Sequence, residues 1–265
     1  MSFLETVMSR RRERIAAEYG VLSAADRERL ACCGRPPRDF VAALGGGADV
    51  AVIAEVKKAS PSAGGIAPEC EASKQALHYQ DGGAAAISVL TEPEYFGGSF
   101  TDLSDVADAV DVPVLCKDFV VDPVQLFVAR GHGADAVLLM VSVLGHLTRD
   151  FADTAETLGM TPLVEVATAD ELAIALGVRS GVIAVNSRDL RTLEVDSARA
   201  HEVLEEARRF DVTLVAASGV KTRADVEAAA SAGADAVLVG ETLMRSPFPE
   251  DVLAELTGVR KGVRT

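Results

Sequence analysis

Residues 51–57 read Ala-Val-Ile-Ala-Glu-Val-Lys. Successive side chains of an extended strand point to opposite faces, so Val52, Ala54 and Val56 share one face and Ala51, Ile53, Glu55 and Lys57 the other. The first face is wholly apolar and must pack beneath helices. The second is apolar at its start and charged at its end, as expected where a strand lines a closed sheet and opens at its carboxyl end onto solvent. Lys58 falls on the outer side. The same alternation recurs in Thr161-Pro-Leu-Val-Glu-Val166, where Leu163 and Glu165 face inward, in Leu115 with Lys117, and in Ala184 with Asn186.

Working outward, short β-rich apolar runs recur eight times, at 50–57, 84–90, 112–117, 136–140, 161–166, 181–186, 213–218 and 236–240. Segments with helical spacing lie between them, among them 71–80, 123–130, 169–176, 198–209 and 222–232. Strand and helix in alternation make a parallel sheet. Gly133-Ala-Asp-Ala-Val-Leu-Leu139 is nearly repeated at Gly233-Ala-Asp-Ala-Val-Leu-Val239, each closing a helix and opening a strand, as a repeated βα unit predicts. Eight units, with no GxGxxG after the first, predict a single-domain (β/α)8 TIM barrel over 48–265 rather than an open dinucleotide-binding sheet. Residues 1–47 read as a helical N-terminal extension with Phe3, Leu4, Val7 and Met8 on one face, and Gly45-Gly46-Gly47 reads as a hinge to the barrel.

The chain has 265 residues, 49% of them hydrophobic and 25% charged, a balance that supports a packed core and argues against disorder. Its net charge of -14 disfavours nucleic acid and anionic membrane, both of which need clustered cations. Only six of its 26 basic residues are Lys, and an acidic, lysine-poor surface is compatible with a salt-rich cytoplasm. Cys32, Cys33, Cys70 and Cys116 form no CxxC pair and no metal-ligand pattern, and read as reduced thiols. The first twenty residues lack a continuous apolar stretch and carry Glu5, Glu13 and Glu18, so no leader is expected, no run is long enough to span a membrane, and a cytoplasmic location follows.

Alternation thus gathers Glu55, Lys57, Lys117, Glu165 and Asn186 at the carboxyl ends of four strands, where barrels of this kind carry catalysis. A merely structural ion-pair cluster is the bland reading, but burying it without a use is costly. Ser218-Gly219-Val220 and Gly240-Glu241 follow the seventh and eighth runs, where backbone amides at glycine turns hold phosphate. The expected ligand is therefore a small phosphorylated molecule.

Six stretches carry a wider pattern: Ile53-Ala-Glu-Val-Lys-Lys-Ala-Ser-Pro-Ser62, Leu90-Thr-Glu-Pro-Glu-Tyr-Phe-Gly-Gly-Ser99, Cys116-Lys-Asp-Phe119, Leu163-Val-Glu-Val166, Val185-Asn-Ser-Arg-Asp-Leu190 and Ser218-Gly-Val220. In order and spacing they resemble the indole-3-glycerol-phosphate synthase family of tryptophan biosynthesis over nearly the whole chain. The resemblance implies a lyase without cofactor or metal that closes the ring of 1-(2-carboxyphenylamino)-1-deoxyribulose 5-phosphate with loss of carbon dioxide and water.

It further implies Lys117 as the general acid at the ribulose carbonyl, and Glu165 as the group that stabilises the cationic intermediate and helps remove a proton. Glu55 and Lys57 would assist dehydration and position the substrate, and Asn186 and Ser218 would hold hydroxyls. Ser60 and Arg188 would hold the carboxylate end, Gly219, Gly240 and the Glu241 amide the phosphate, and Pro61, Phe96 and Phe119 the benzene ring. The bland reading of Phe96 is loop packing. Two positions depart from the pattern: Ala63 stands where many members carry a basic residue, and Glu241 places a carboxylate beside the phosphate.

Three alternatives remain at this level. One is a Schiff-base aldolase using a mouth lysine. The second is a sugar-phosphate isomerase, which would use Cys or Asp where Glu55 and Lys57 stand. The third is a non-catalytic phosphate-binding scaffold.

Overall fold

The computed structural model of the chain describes residues 2–179, 181–190 and 192–262. Eight parallel strands close into a barrel: β1 Ala51–Val56, β2 Ala86–Leu90, β3 Val114–Lys117, β4 Ala136–Met140, β5 Thr161–Val166, β6 Val182–Asn186, β7 Thr213–Ala217 and β8 Ala236–Val239. Closure runs through β1, which pairs with β2 at Ile53↔Ala86 and with β8 at Ala51↔Ala236. β4 and β5 begin and end where the sequence places them, and the other runs lose a residue or two at an end. The backbone explains two of these trims: Gly181 (φ 65°) and Ser218 (φ 67°) are left-handed and cannot continue a strand.

Three helices precede β1: α1 Phe3–Tyr19, α2 Ala24–Ala31 and α3 Phe40–Gly45. Around the barrel follow α4 Ala72–Asp81, α5 Phe100–Ala109, α6 Val124–Gly131, α7 Val141–Leu144, α8 Thr148–Thr157, α9 Ala169–Leu176, α10 Ser197–Ala207, α11 Arg223–Ala232, α12 Glu241–Arg245 and α13 Pro249–Leu256. The sequence expectations name neither α5 nor α8. A signal for α5 exists, since Ser99 caps it by accepting the Asp102 amide at 3.0 Å, a Ser-x-x-Asp start. No helix among the described residues is long and apolar enough to cross a membrane.

The inward set forms one cluster, with Ile53, Leu115, Leu138, Leu163, Ala184, Val215 and Leu238 filling the barrel. The outward set, with Val52, Ala54, Val56, Val164 and Val166, packs beneath the helices in another. The repeated Gly-Ala-Asp has a structural cause. Gly133 (φ 85°) and Gly233 (φ 107°) end α6 and α11 in the left-handed region, which suits glycine. The following Asp carboxylate then accepts a backbone N–H from the preceding strand, Val114 at 2.7 Å for Asp135 and Leu214 at 2.8 Å for Asp235.

The N-terminal helices serve the two ends of the barrel. On α1, Leu4 and Val7 are buried and Phe3 and Met8 half-buried, and all four join the interior cluster, as do Phe40 and Leu44 of α3. Arg11 of α1 is only 3% exposed and grips Asp118, just beyond β3, with Nε 2.9 Å from Oδ1, so α1 sits over the carboxyl ends. At the foot, Arg35 donates to Asp135 (Nη1 to Oδ1, 3.0 Å), and the Arg38 amide adds a bond of 2.7 Å. In Gly45-Gly46-Gly47, Gly45 ends α3, none of the three has positive φ, and Lys261 Nζ pins the Leu44 and Gly45 carbonyls at 3.0 and 3.1 Å.

Candidate active site

A cleft of about 280 Å³ opens at the carboxyl ends of the strands. Every candidate residue lines it: Glu55, Lys57, Ser60, Pro61, Phe96, Lys117, Phe119, Glu165, Asn186, Arg188, Ser218, Gly219, Gly240 and Glu241.

Glu55, 1% exposed, organises one wall, with Oε1 2.8 Å from Lys57 Nζ and Oε2 3.0 Å from Lys117 Nζ. Burial alone would raise its carboxyl, but the ammonium groups of Lys117 and Lys57 outweigh that and hold it down at about 2. For Lys117 burial opposes the charge, and Glu55 and Glu165 together more than restore it, so its titration lies above the ordinary lysine range. A side chain on residue 240 would strike this group: a Cβ there would lie 2.5 Å from Glu55 Oε1 and 3.1 Å from Lys57 Nζ. A side chain at 240 would therefore displace the Glu55–Lys57 pair, independently of any ligand.

Glu165 is held differently. Its Oε1 accepts from Asn186 Nδ2 at 3.0 Å, and burial pushes its carboxyl up against the opposing pull of Lys117 and that amide. Lys117 and Glu165 thus face one cleft with opposite tendencies, one a stabilised ammonium and the other a carboxylate inclined to take a proton. Environments that push titrating groups apart set up an acid and a base.

Asn186 Oδ1 in turn accepts the Arg188 amide at 2.9 Å, and Arg188 Nη1 donates to the Leu193 carbonyl at 2.8 Å. Leu193 (φ 65°) and Ser218 (φ 67°) are non-glycine residues in the left-handed region, and both line the cleft. Such backbone costs of order 1–3 kcal/mol persist where surrounding structure imposes them. On the opposite rim, Ala59–Ser60 pairs with Gly64–Gly65 in a small antiparallel ladder. The Ala59 amide donates to the Phe96 carbonyl at 3.1 Å, tying that loop to Phe96, whose ring lies 6.1 Å from Phe119 at 47°. Phe96 therefore packs its loop and lines the cleft at once.

At the far end, the amide N–H groups of Gly219, Val220 and Gly240 have no acceptor among the described residues. Amides so placed in a cleft suit an anion. The Glu241 carboxylate pairs with Arg245 Nε at 2.9 Å, which partly offsets the acidic charge beside this cradle.

Sequence reasoning missed several lining residues: Phe3, Glu92, Asp118, Leu190, Leu193, Val195 and Lys221. Glu92, 3% exposed, accepts the amides of Glu94, Tyr95 and Phe96 at 3.0, 2.7 and 3.2 Å and so shapes the Phe96 loop. It stands within the quoted 90–99 stretch, and its charge inside a run ending in Phe-Gly-Gly was the available signal. Asp118 accepts from Thr91 Oγ1 at 2.7 Å as well as from Arg11. Phe3 stacks edge-on against Tyr95 at 5.3 Å, which closes α1 over the aromatic side of the cleft.

Residues 4–256 match the family model described as indole-3-glycerol phosphate synthase. The chain is 46% identical over 257 residues to the indole-3-glycerol phosphate synthase of Mycobacterium avium, covering 96% of this chain and 93% of that protein. It is 43% identical to the protein of that name from Micrococcus luteus, covering both completely. Among solved structures, 3-hexulose-6-phosphate synthase superposes with a TM-score of 0.64 at 17% identity, covering 78% of this chain and 98% of the other. A mutant tryptophan synthase alpha-subunit from Pyrococcus furiosus gives 0.61 at 16%, covering 78% and 97%. At those identities the structural likeness bears on the fold alone.

Proposed function

This chain belongs to the indole-3-glycerol phosphate synthase family, carboxy-lyases of tryptophan biosynthesis, and from that premise we propose how its cleft carries out the reaction. The substrate is 1-(2-carboxyphenylamino)-1-deoxyribulose 5-phosphate. Its ring carbon bearing the carboxylate attacks the ribulose carbonyl, a carbon–carbon bond forms, and the carbonyl oxygen takes a proton from Lys117. Carbon dioxide then leaves, and its bonding electrons restore the aromatic ring. The new hydroxyl departs as water while the neighbouring carbon loses a proton, giving indole-3-glycerol phosphate.

The observation that carries this reading is Lys117 beside Glu55 at 3.0 Å, in a cleft shared with a Glu165 whose carboxyl is pushed up. Lys117 keeps its proton until an acceptor develops in the transition state, when donation is worth roughly 10²–10⁴ in rate. Glu165 faces the cationic stage and helps remove the proton, and Lys57 with Glu55 assists loss of the hydroxyl. Asn186 and Ser218 hold substrate hydroxyls, and Ser60 and Arg188 the carboxylate. Gly219, Gly240 and the Glu241 amide hold phosphate, while Pro61, Phe96 and Phe119 flank the benzene ring.

A Schiff-base aldolase needs a neutral lysine amine, and a Lys117 titrating above its ordinary range is the opposite environment. The net charge of -14 supports an enzyme of small molecules with no nucleic-acid or anionic-membrane partner. Supplying the substrate tests the function: indole fluorescence must appear with equimolar carbon dioxide, and consumption without decarboxylation would reject it.

A further inference from the structure

Among the described residues four cations line the cleft, Lys57, Lys117, Arg188 and Lys221, and their charges are not equally available. Lys57 and Lys117 share one carboxylate, Glu55, and Lys117 also feels Glu165. Arg188 commits one arm to the Leu193 carbonyl. The other acidic residues at the rim are spoken for: Asp118 by Arg11 and Thr91, Glu92 by three amides, and Glu241 by Arg245. A ligand with a carboxylate and a dianionic phosphate brings more negative charge than Lys57, Lys117 and Arg188 can offset once Glu55 and Glu165 are counted against them.

Lys221 is the remaining cation among the described residues of the cleft. It directly follows Ser218-Gly219-Val220, whose Gly219 and Val220 amides lack acceptors among the described residues. It lines the cleft from an exposed position, and its ammonium has no ion-pair partner among the described residues. The Asp225 carboxylate feels the Lys221 charge without forming an ion pair with it, and it accepts the amides of Lys221 and Thr222, at 2.9 and 2.8 Å, and the Thr222 hydroxyl at 2.9 Å. The bond to Asp225 holds the Lys221 backbone at the mouth, and the side chain is exposed there. The N-terminal end of α11 is closed by Thr222 and Asp225 as a reciprocal cap, so it offers no competing anion site.

We propose that Lys221 is the phosphate-binding cation of this cleft, closing over an anion seated on the Gly219, Val220 and Gly240 amides. The inference rests on the functional reading above for its substrate, but not for its anion. Arg at 221 would serve equally, being able to bind phosphate with two parallel bonds. Because the side chain is exposed, its contribution is screened and must fade with ionic strength.

Titration of the full chain with inorganic phosphate at low ionic strength, followed by calorimetry, tests this together with KM for the phosphorylated substrate. Lys221→Met is expected to weaken phosphate binding and raise KM about fivefold or more, a gap that closes in molar potassium chloride. Lys221→Arg is expected to restore both, and a dephosphorylated substrate analogue should bind parent and Lys221→Met alike. Phosphate affinity within twofold of the parent in Lys221→Met, or no phosphate binding by the parent, would overturn the proposal. Should the parent bind phosphate in a Lys221-dependent manner yet fail to convert the substrate, the functional reading falls and the phosphate site stands.

Discussion

Asp135 and Glu165 are both buried carboxylates of one barrel, one at the foot of β4 and the other near the top of β5. At Asp135 the acceptor capacity is used up: Arg35, the Arg38 amide and the Val114 amide all donate to it. Glu165 has a single hydrogen-bond donor among the described residues, Asn186, and otherwise faces the cleft. Burying a charge is costly unless partners replace its water. At the foot they do, and the carboxylate joins the extension to the barrel. At the mouth they do so only in part, and the unspent capacity is what a reaction can use. Chemistry in this molecule is therefore marked less by buried charge than by buried charge left incompletely partnered.

The largest effect that would break this comparison is at the foot. Asp135→Asn replaces an acceptor by a donor facing Arg35 and two amides, and removing one partner of a buried ion pair costs about 3–5 kcal/mol. Chemical unfolding should show that loss while turnover per folded molecule stays within about twofold. A loss under 1 kcal/mol would show that the foot is not saturated as described.

At the mouth the sign reverses. The folded titration of Glu165 lies above the unfolded one, so its ionisation disfavours the fold as pH rises from the unfolded carboxylate range through the folded value. Glu165→Gln keeps an oxygen for Asn186 and removes the charge. Its melting temperature should exceed the parent's at pH 8 by about 2–4 °C, corresponding to about 1 kcal/mol, with the excess shrinking towards pH 5, although turnover collapses. A lower melting temperature at pH 8 would show that Glu165 is structural after all. Glu55 is the internal contrast: depressed to about 2, it stabilises the fold above the ordinary carboxylate range, and that contribution is lost as pH falls through about 2.

The smallest effect concerns neither end. With a net charge of -14, the surface repels itself, and screening should raise the melting temperature by a degree or more between low and molar potassium chloride. An unchanged or lower value would remove self-repulsion from the account.

What was legible in the sequence follows from the range of the signal. Glu55, Lys57, Lys117, Glu165 and Asn186 were readable because strand alternation is local, and one residue's facing fixes the next. The glycines after β7 and β8 were readable as turns, although the closest demand on Gly240 comes from Glu55 and Lys57. Arg11 was not readable: within Ser-Arg-Arg-Arg-Glu-Arg it looks like a solvated helix face, and its partner Asp118 lies 107 residues away. The repeated Gly-Ala-Asp was visible as a repeat, but its cause, a carboxylate accepting an amide of the preceding strand, is a tertiary contact. Phe3 showed its apolar face in the sequence without showing that the face belongs to the barrel mouth.

The most direct test of incompletely partnered charge as catalytic machinery is Lys117→Met, assayed by indole fluorescence with the parent's melting curve as reference. Met keeps much of the length and stem while removing proton and charge, so kcat should fall at least about a hundredfold with KM changed much less, the mark of an interaction made in the transition state. Lys74→Met on α4, whose exposed ammonium pairs only with Glu71 among the described residues, should leave both constants unchanged. A Lys117→Met enzyme that retains kcat within a fewfold of the parent would contradict the account and move the search for the acid to Lys57.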